Sequence, residues 1–206
     1  MSKYDKFFAL VDRKSGYRKP VKVVRSALVP EFLQAIQADP DLSDDERLLV
    51  GLLAGSGARI SEVLAVKKQV CEPAHFTLRV LKKDQAQLKA AAAQKAAGKP
   101  VKPWNPVTRL CKVPDAILAT YSARLSQRKP QEFLLRMDRF QALRILKRLF
   151  GADMECHSFR HGYVSFLIHS KRTDGEIADL VKIDHKTVKQ YAHITDVVQA
   201  LASLGL

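Results

Sequence analysis

Apolar positions recur at helical spacing over most of the chain. In the segment opened by Pro30, Phe32, Leu33 and Ile36 share one side, and Asp39-Pro40 ends it, because a proline disfavours helical backbone in the residue before it. Ser43 stands three residues before Glu46, the spacing of a capping box. The run Leu48, Leu49, Val50, Leu52, Leu53 that follows is apolar nearly all round, so this helix is expected to be buried until Gly55 and Gly57 break it. Ile60, Val63 and Leu64 make a short stripe next. Pro114 and Asp115 start a helix to about Arg128, with Ile117, Leu118, Tyr121 and Leu125 as its apolar face. Another is expected from about Met137 to Phe150, with Phe140, Leu143, Leu146 and Leu149 on one side. Phe159, Tyr163, Phe166 and Leu167 continue the helical period. Thr173 and Glu176 repeat the capping spacing and open a short helix to about Val181, and Asp184 can cap a last turn or two leading to Tyr191. The tail from Val197, VVQALASLGL, reads as an amphipathic helix that packs at home or on a neighbouring subunit.

Two stretches break this period. Residues 75–81, HFTLRVL, and 107–113, VTRLCKV, alternate as strands do, and Lys82, Lys83 and Asp84 are expected to end the first. The first part of the segment between them is rich in Ala, Lys and Gln and favours helix. Gly98, Pro100, Pro103 and Pro106 then forbid regular structure. The expected fold class is therefore mainly α with a small antiparallel β-sheet.

With 47% hydrophobic residues, the chain of 206 can bury a proper core, and its length suits one domain. Its charge changes the picture more. Against 21 acidic residues stand 35 Lys and Arg, a formal net charge of +14. Nucleic acid is the usual partner of so basic a domain; an anionic membrane is the rival, and a merely basic soluble protein the plain alternative. No apolar run approaches the roughly 18 residues of a membrane span, and the first residues lack the long apolar core of a secretory signal. The three cysteines, Cys71, Cys111 and Cys156, are odd in number and form no CxxC pair. Disulfides and a zinc site are thus not expected, and a reducing cytoplasm is the natural compartment.

Basic residues are also clustered. Residues 1 to 25 carry Lys3, Lys6, Arg13, Lys14, Arg18, Lys19, Lys22 and Arg25 with weak periodicity, either a frayed tail or an arm along a DNA backbone. Arg136, Arg139, Arg144, Lys147 and Arg148 crowd the 137–150 helix with almost no balancing acid, which favours phosphate contact. The long connection at 84–106 bears Lys89, Lys95, Lys99, Lys102 and Trp104. It reads as a DNA-contacting flap or as a tolerated surface insertion.

The candidate chemistry lies in residues 157–193. His157 and Arg160, three apart, share one face of a helix, where a basic pair can hold a phosphate. Tyr191 can return to the same place, and tyrosine hydroxyls form covalent intermediates in some enzymes. Arg59 lies in the first turn of its segment, where helix N–H groups also favour an anion; pairing with Glu62 is the plain alternative.

GSGARISEVLAV, HSFRHGYVSFLI and KQYAHI, in that order, resemble the catalytic domain of the tyrosine recombinases, the phage-integrase family, over roughly residues 25 to 195. The resemblance implies a catalytic domain at 26–206, with a basic arm at 1–25, a hairpin insertion at 84–106 and a C-terminal helix at 195–206 able to exchange between subunits. It implies that Arg59 and Arg160 clamp the scissile phosphate, that His157 is a base or hydrogen-bonding partner, and that Tyr191 is the nucleophile. A lysine on the hairpin turn serves the family as general acid; that turn offers Lys82 and Lys83, and Lys83 is preferred because it comes one step later. The family usually has a further His or Trp about nine residues before the Tyr. Here His185 is six before Tyr191, so either the loop is shortened and His185 serves, or the role is unfilled. With room for only a short arm before the catalytic domain, the chain looks like minimal members such as the fimbrial-switch invertases.

The implied activity is site-specific recombination of DNA (integration, excision, inversion or resolution) on or between mobile elements, through a 3′-phosphotyrosyl intermediate. The implied partners are double-stranded DNA, further copies of the chain from dimer to tetramer, and an accessory DNA-bending protein, in a bacterial cytoplasm or nucleoid. A phosphotyrosyl bond keeps the energy of the broken one, so neither cofactor nor metal is expected, in agreement with a sequence that has no Walker loop. Two alternatives stay open: a catalytically impaired DNA-binding accessory protein of the same fold, and a type IB topoisomerase or telomere resolvase.

Overall fold

A computed structural model describes residues 2–11, 21–101, 105–155, 157–189 and 191. The C-terminal helix expected at 195–206, together with Lys102, Trp104 and Cys156, lies outside them. Among the described residues, strands β1 (Phe8–Val11) and β2 (Val21–Val24) pair antiparallel, as do β3 (His75–Arg79) and β4 (Thr108–Lys112). The helices are α1 (Val29–Ala38), α2 (Asp44–Ser56), α3 (Ile60–Leu64), α4 (Leu81–Ala96), α5 (Leu118–Ser126), α6 (Arg139–Phe150), α7 (Ser158–His169) and α8 (Asp174–Val181). Residues 185–189 add a further helical turn before Tyr191. The fold is mainly α with small antiparallel sheets, and no helix among the described residues is long and apolar enough to cross a membrane.

Helix α2 is the central element. Ser43 Oγ accepts from the N–H of Glu46, and Glu46 reaches back to the N–H of Ser43, so the capping box read from the sequence starts it. Its all-round apolar surface is buried, with Leu48, Leu49, Val50, Leu52 and Leu53 fully enclosed among α1, α5, α6 and α7. Thr173 and Glu176 start α8 in the same way. A third box, Asp138 with Gln141, starts α6.

Several expectations are corrected. The 1–25 stretch is in part core rather than arm: Tyr4, Phe7 and Phe8 join Phe32, Phe150 and Phe159 in a cluster of edge-on and tilted rings. Strand β2 lies so close to α7 that a Cβ on Gly162 would meet Val24 O at 2.9 Å. Phe140 is 76% exposed, because the buried stripe of α6 runs through Ala142, Leu146, Leu149 and Phe150. Arg136 and Arg148 of the basic α6 region are paired with Glu132 and Glu46, while Arg144 and Lys147 face solvent.

The β3–β4 connection also differs from its expected form. The strand ends at Arg79, and Leu81 already begins α4, so Lys82 and Lys83 sit in a helix rather than a hairpin turn. The root of α4 is fixed by Asp84, its one buried residue. That carboxylate accepts from Arg79 Nε and Nη2 (3.2 and 3.0 Å) and from the N–H of Val107 (3.0 Å).

Candidate active site

The site forms where α2 and α8 end, against the start of α7. Gly57 follows α2 in the left-handed region (φ 58°), its N–H donating to Leu53 O, and this tight exit turns the chain toward α3. Arg59 is the N-cap of α3 rather than a residue of its first turn. Its N–H and Nη1 both donate to the Glu62 carboxylate, at 3.0 and 2.8 Å. The pairing with Glu62 is thus present, but the Glu62 side chain is only 1% exposed against 23% for Arg59. A buried carboxylate therefore holds a guanidinium that still reaches solvent.

Helix α7 carries the second cation. His157 stands exposed at its N-cap, and Arg160, one turn on, is 1% exposed. Arg160 Nη1 donates to Gly57 O (2.8 Å) and Nη2 to Val181 O (3.2 Å). The side chain so links the carbonyl ends of α2 and α8, where the helix dipoles favour a cation. Burial, and then the like charge of Arg59, push the Arg160 guanidinium down to about 10, with Tyr191 and Glu62 acting in the opposite sense. It stays charged at neutral pH, held in a setting where a nearby anion is felt strongly.

Tyr191 is buried, and its ring lies 4.8 Å, centroid to centroid, from that of His161, the residue after Arg160. Arg59 and Tyr191, from distant stretches of sequence, each lie within electrostatic reach of Arg160. A fourth side chain, Arg109 of β4, is 6% exposed and also acts on Arg160. Sequence reasoning misses Arg109, although the alternation of VTRLCKV puts it on the inward face with Cys111. From the sequence His161 reads as a structural or surface group; its one signal is adjacency to Arg160.

One expected member is not brought in. His185 is exposed, and its Cε1 lies 3.6 Å from where Gly175 would carry a Cβ, at the N-terminal end of α8. Arg160 meets the other end of that helix, about 9 Å away by helical rise. Lys82 is exposed and Lys83 half-buried, and neither side chain makes a hydrogen bond or ion pair with a described residue. Arg59, Arg109 and the buried Glu62 all act on Arg160, so three guanidiniums against one carboxylate make a net positive cluster, of a charge suited to an anion with two or more oxygens to offer.

No protein-family model and no curated protein matches the sequence. Solved structures do. XerA recombinase aligns over 96% of this chain and 63% of its own, at 13% identity and a TM-score of 0.58. XerH site-specific recombinase, bound to a palindromic difH substrate in a post-cleavage complex, aligns over 93% and 55%, at 15% identity and a TM-score of 0.60. The catalytic domain of bacteriophage HP1 integrase aligns over 80% and 83%, at 16% identity and a TM-score of 0.52. The chain thus spans less than two thirds of the XerA and XerH chains. At these identities the likeness is one of fold: a mostly helical body with small antiparallel sheets, that of tyrosine recombinase catalytic domains.

Proposed function

We propose that this protein is a site-specific DNA recombinase that cleaves and rejoins strands through Tyr191. The observation that carries the reading is the position of Arg160, which is buried yet charged and lies within electrostatic reach of both Arg59 and Tyr191. In this reading the two guanidiniums hold the non-bridging oxygens of one phosphodiester. The Tyr191 oxygen forms a bond to phosphorus while the bond to the 5′ oxygen breaks. The phenol proton leaves to a base, and the 5′ oxygen takes a proton from an acid. Rejoining runs the same steps backward with the 5′ hydroxyl of another strand. The extra negative charge that builds on the phosphate is met by cations already in place, which is where such sites gain most of their rate.

His157 and His161 are the nearest imidazoles in sequence to Arg160, and His161, in ring contact with Tyr191, is better placed than His185 to assist the phenol. Lys83, or Lys82 beside it, is the proposed acid and acts from the first turn of α4. The basic surface binds double-stranded DNA, and recombination joins two such sites through several copies of the chain.

The test is Arg59→Lys, which keeps a partner for buried Glu62 but loses the planar fork. Strand cleavage should fall by about 10²-fold or more, the size of losing one oriented donor. DNA affinity should change by no more than a few-fold, since one phosphate contact among many adds little. Equal loss of both would count against a catalytic role. A second reading, a DNA-binding accessory protein, is favoured by the position of His185 away from the cluster. Specific binding by the wild type with no strand cleavage would establish it.

A further inference from the structure

Arg109 and Arg160 are held in parallel. Arg160 bonds to Gly57 O and Val181 O. Arg109 Nη1 bonds to Ser56 O (2.8 Å) and Leu180 O (3.3 Å), the carbonyls one residue earlier on each side. Two guanidiniums from distant elements therefore lie side by side between the same two helix ends. The inward positions of the β3–β4 sheet are otherwise Phe76, Leu78 and Cys111, all buried, so a residue needed only for packing would be apolar there. Instead a cation is buried whose Nε and Nη2 meet no acceptor among the described residues. Its like charge also opposes that of Arg160. Burying an incompletely bonded cation beside another one is unfavourable. What the arrangement does is join the end of α2 to the end of α8 through one side chain.

We propose that Arg109 is a positioning residue for Arg160: its bridge from Ser56 O to Leu180 O sets the gap in which the Arg160 guanidinium is aimed. The claim about position stands on geometry alone; only its consequence for catalysis rests on the function proposed above. Lysine cannot keep the bridge, because its ammonium lies one bond nearer the backbone than Nη1, the single Arg109 nitrogen that reaches both carbonyls.

The test compares the full chain with Arg109→Lys and Arg109→Met in three measurements. Amide hydrogen exchange at residues 55–60 and 178–184 should quicken together in both variants, with the α1 and α6 amides unchanged. Modification by phenylglyoxal, read by peptide mass spectrometry, should reach Arg160 in both variants and spare it in the wild type. On nicked duplex DNA, Arg109→Lys should slow formation of a covalent adduct by about 10²-fold, as small misplacements do, with DNA affinity within about twofold. Unchanged exchange at either helix end, or an Arg160 that stays protected, would overturn the proposal, as would loss of protection throughout the chain in Arg109→Lys. If the wild type forms no adduct while exchange and modification behave as expected, the recombinase reading fails and the positioning role stands.

Discussion

Gly57→Ala puts the geometry of the site to a quantitative test. Gly57 has a φ of 58°, where an L side chain costs about 1–2 kcal/mol. A Cβ there would also lie 2.5 Å from Tyr163 Cδ1 and 2.8 Å from its Cγ, atoms of a partly buried α7 ring that packs against the apolar cluster of α7 and α8. Relief of such overlap in a packed interior costs a further ~1–3 kcal/mol. The lost freedom of glycine in the unfolded chain returns about 0.4–1 kcal/mol. The net expectation is a loss of roughly 1–4.5 kcal/mol. Gly98 is the control, because its φ of 66° is similar but a Cβ there meets nothing within 4 Å. Gly98→Ala should therefore cost only the backbone difference, about 1 kcal/mol or less. Urea unfolding at constant m reads both; with m near 2 kcal/mol/M, Gly57→Ala should lower the midpoint by about 0.5–2 M. Agreement of the two variants within about 0.5 kcal/mol would refute the close approach of Tyr163 to the α2 exit and the fixed placement of Gly57 O, the acceptor of Arg160.

Two further outcomes follow from charge. Burial alone would raise the Asp39 carboxyl, but Lys3, the Tyr4 hydroxyl and the N–H of Asp41 together hold it below its ordinary value. A depressed carboxylate contributes stability that is present above its unfolded pKa, about 3.9, and is lost as pH falls through the folded one. Asp39→Asn should thus be less stable than wild type at pH 7, with the gap closing below about pH 4 in pH-dependent melting; a constant gap would contradict the pairing. On α4, Lys89 and Lys95 are exposed and residues 85–101 contain no acid. If α4 lies along DNA, Lys89→Gln with Lys95→Gln should reduce the slope of log affinity against log salt by about 0.9 for each phosphate no longer neutralised, while an unchanged slope would make α4 a surface insertion only.

What was legible in the sequence was local. The Ser43–Glu46 and Thr173–Glu176 boxes act over three residues, and the all-round apolar run at 48–53 announces burial by itself. The Asp138–Gln141 box was equally local, but counting Phe140 and Leu143 into the stripe set the face of α6 wrongly. Long-range partners were not legible. Tyr4, Phe7 and Phe8 look incidental among lysines until Phe32, Phe150 and Phe159 are seen to surround them. The resemblance links Arg59, Arg160 and Tyr191, and in the fold Arg59 and Tyr191 each act electrostatically on Arg160. It could not show that His161 rather than His185 faces Tyr191, because the orientation of the turn after α8 decides that. Nor could it show Arg109, whose acceptors come from Ser56 and Leu180, far away along the chain.

The central claim is that Tyr191 attacks a phosphodiester held by Arg59 and Arg160, and covalent trapping tests it most directly. The protein is incubated with nicked duplex DNA from its own genetic neighbourhood, denatured, and assayed for DNA that remains attached, with Tyr191→Phe alongside. The account predicts an adduct with the wild type, its linkage mapped to Tyr191, and none with the variant. An adduct from both would place the nucleophile elsewhere, and specific binding with no adduct from the wild type would contradict the enzymatic reading.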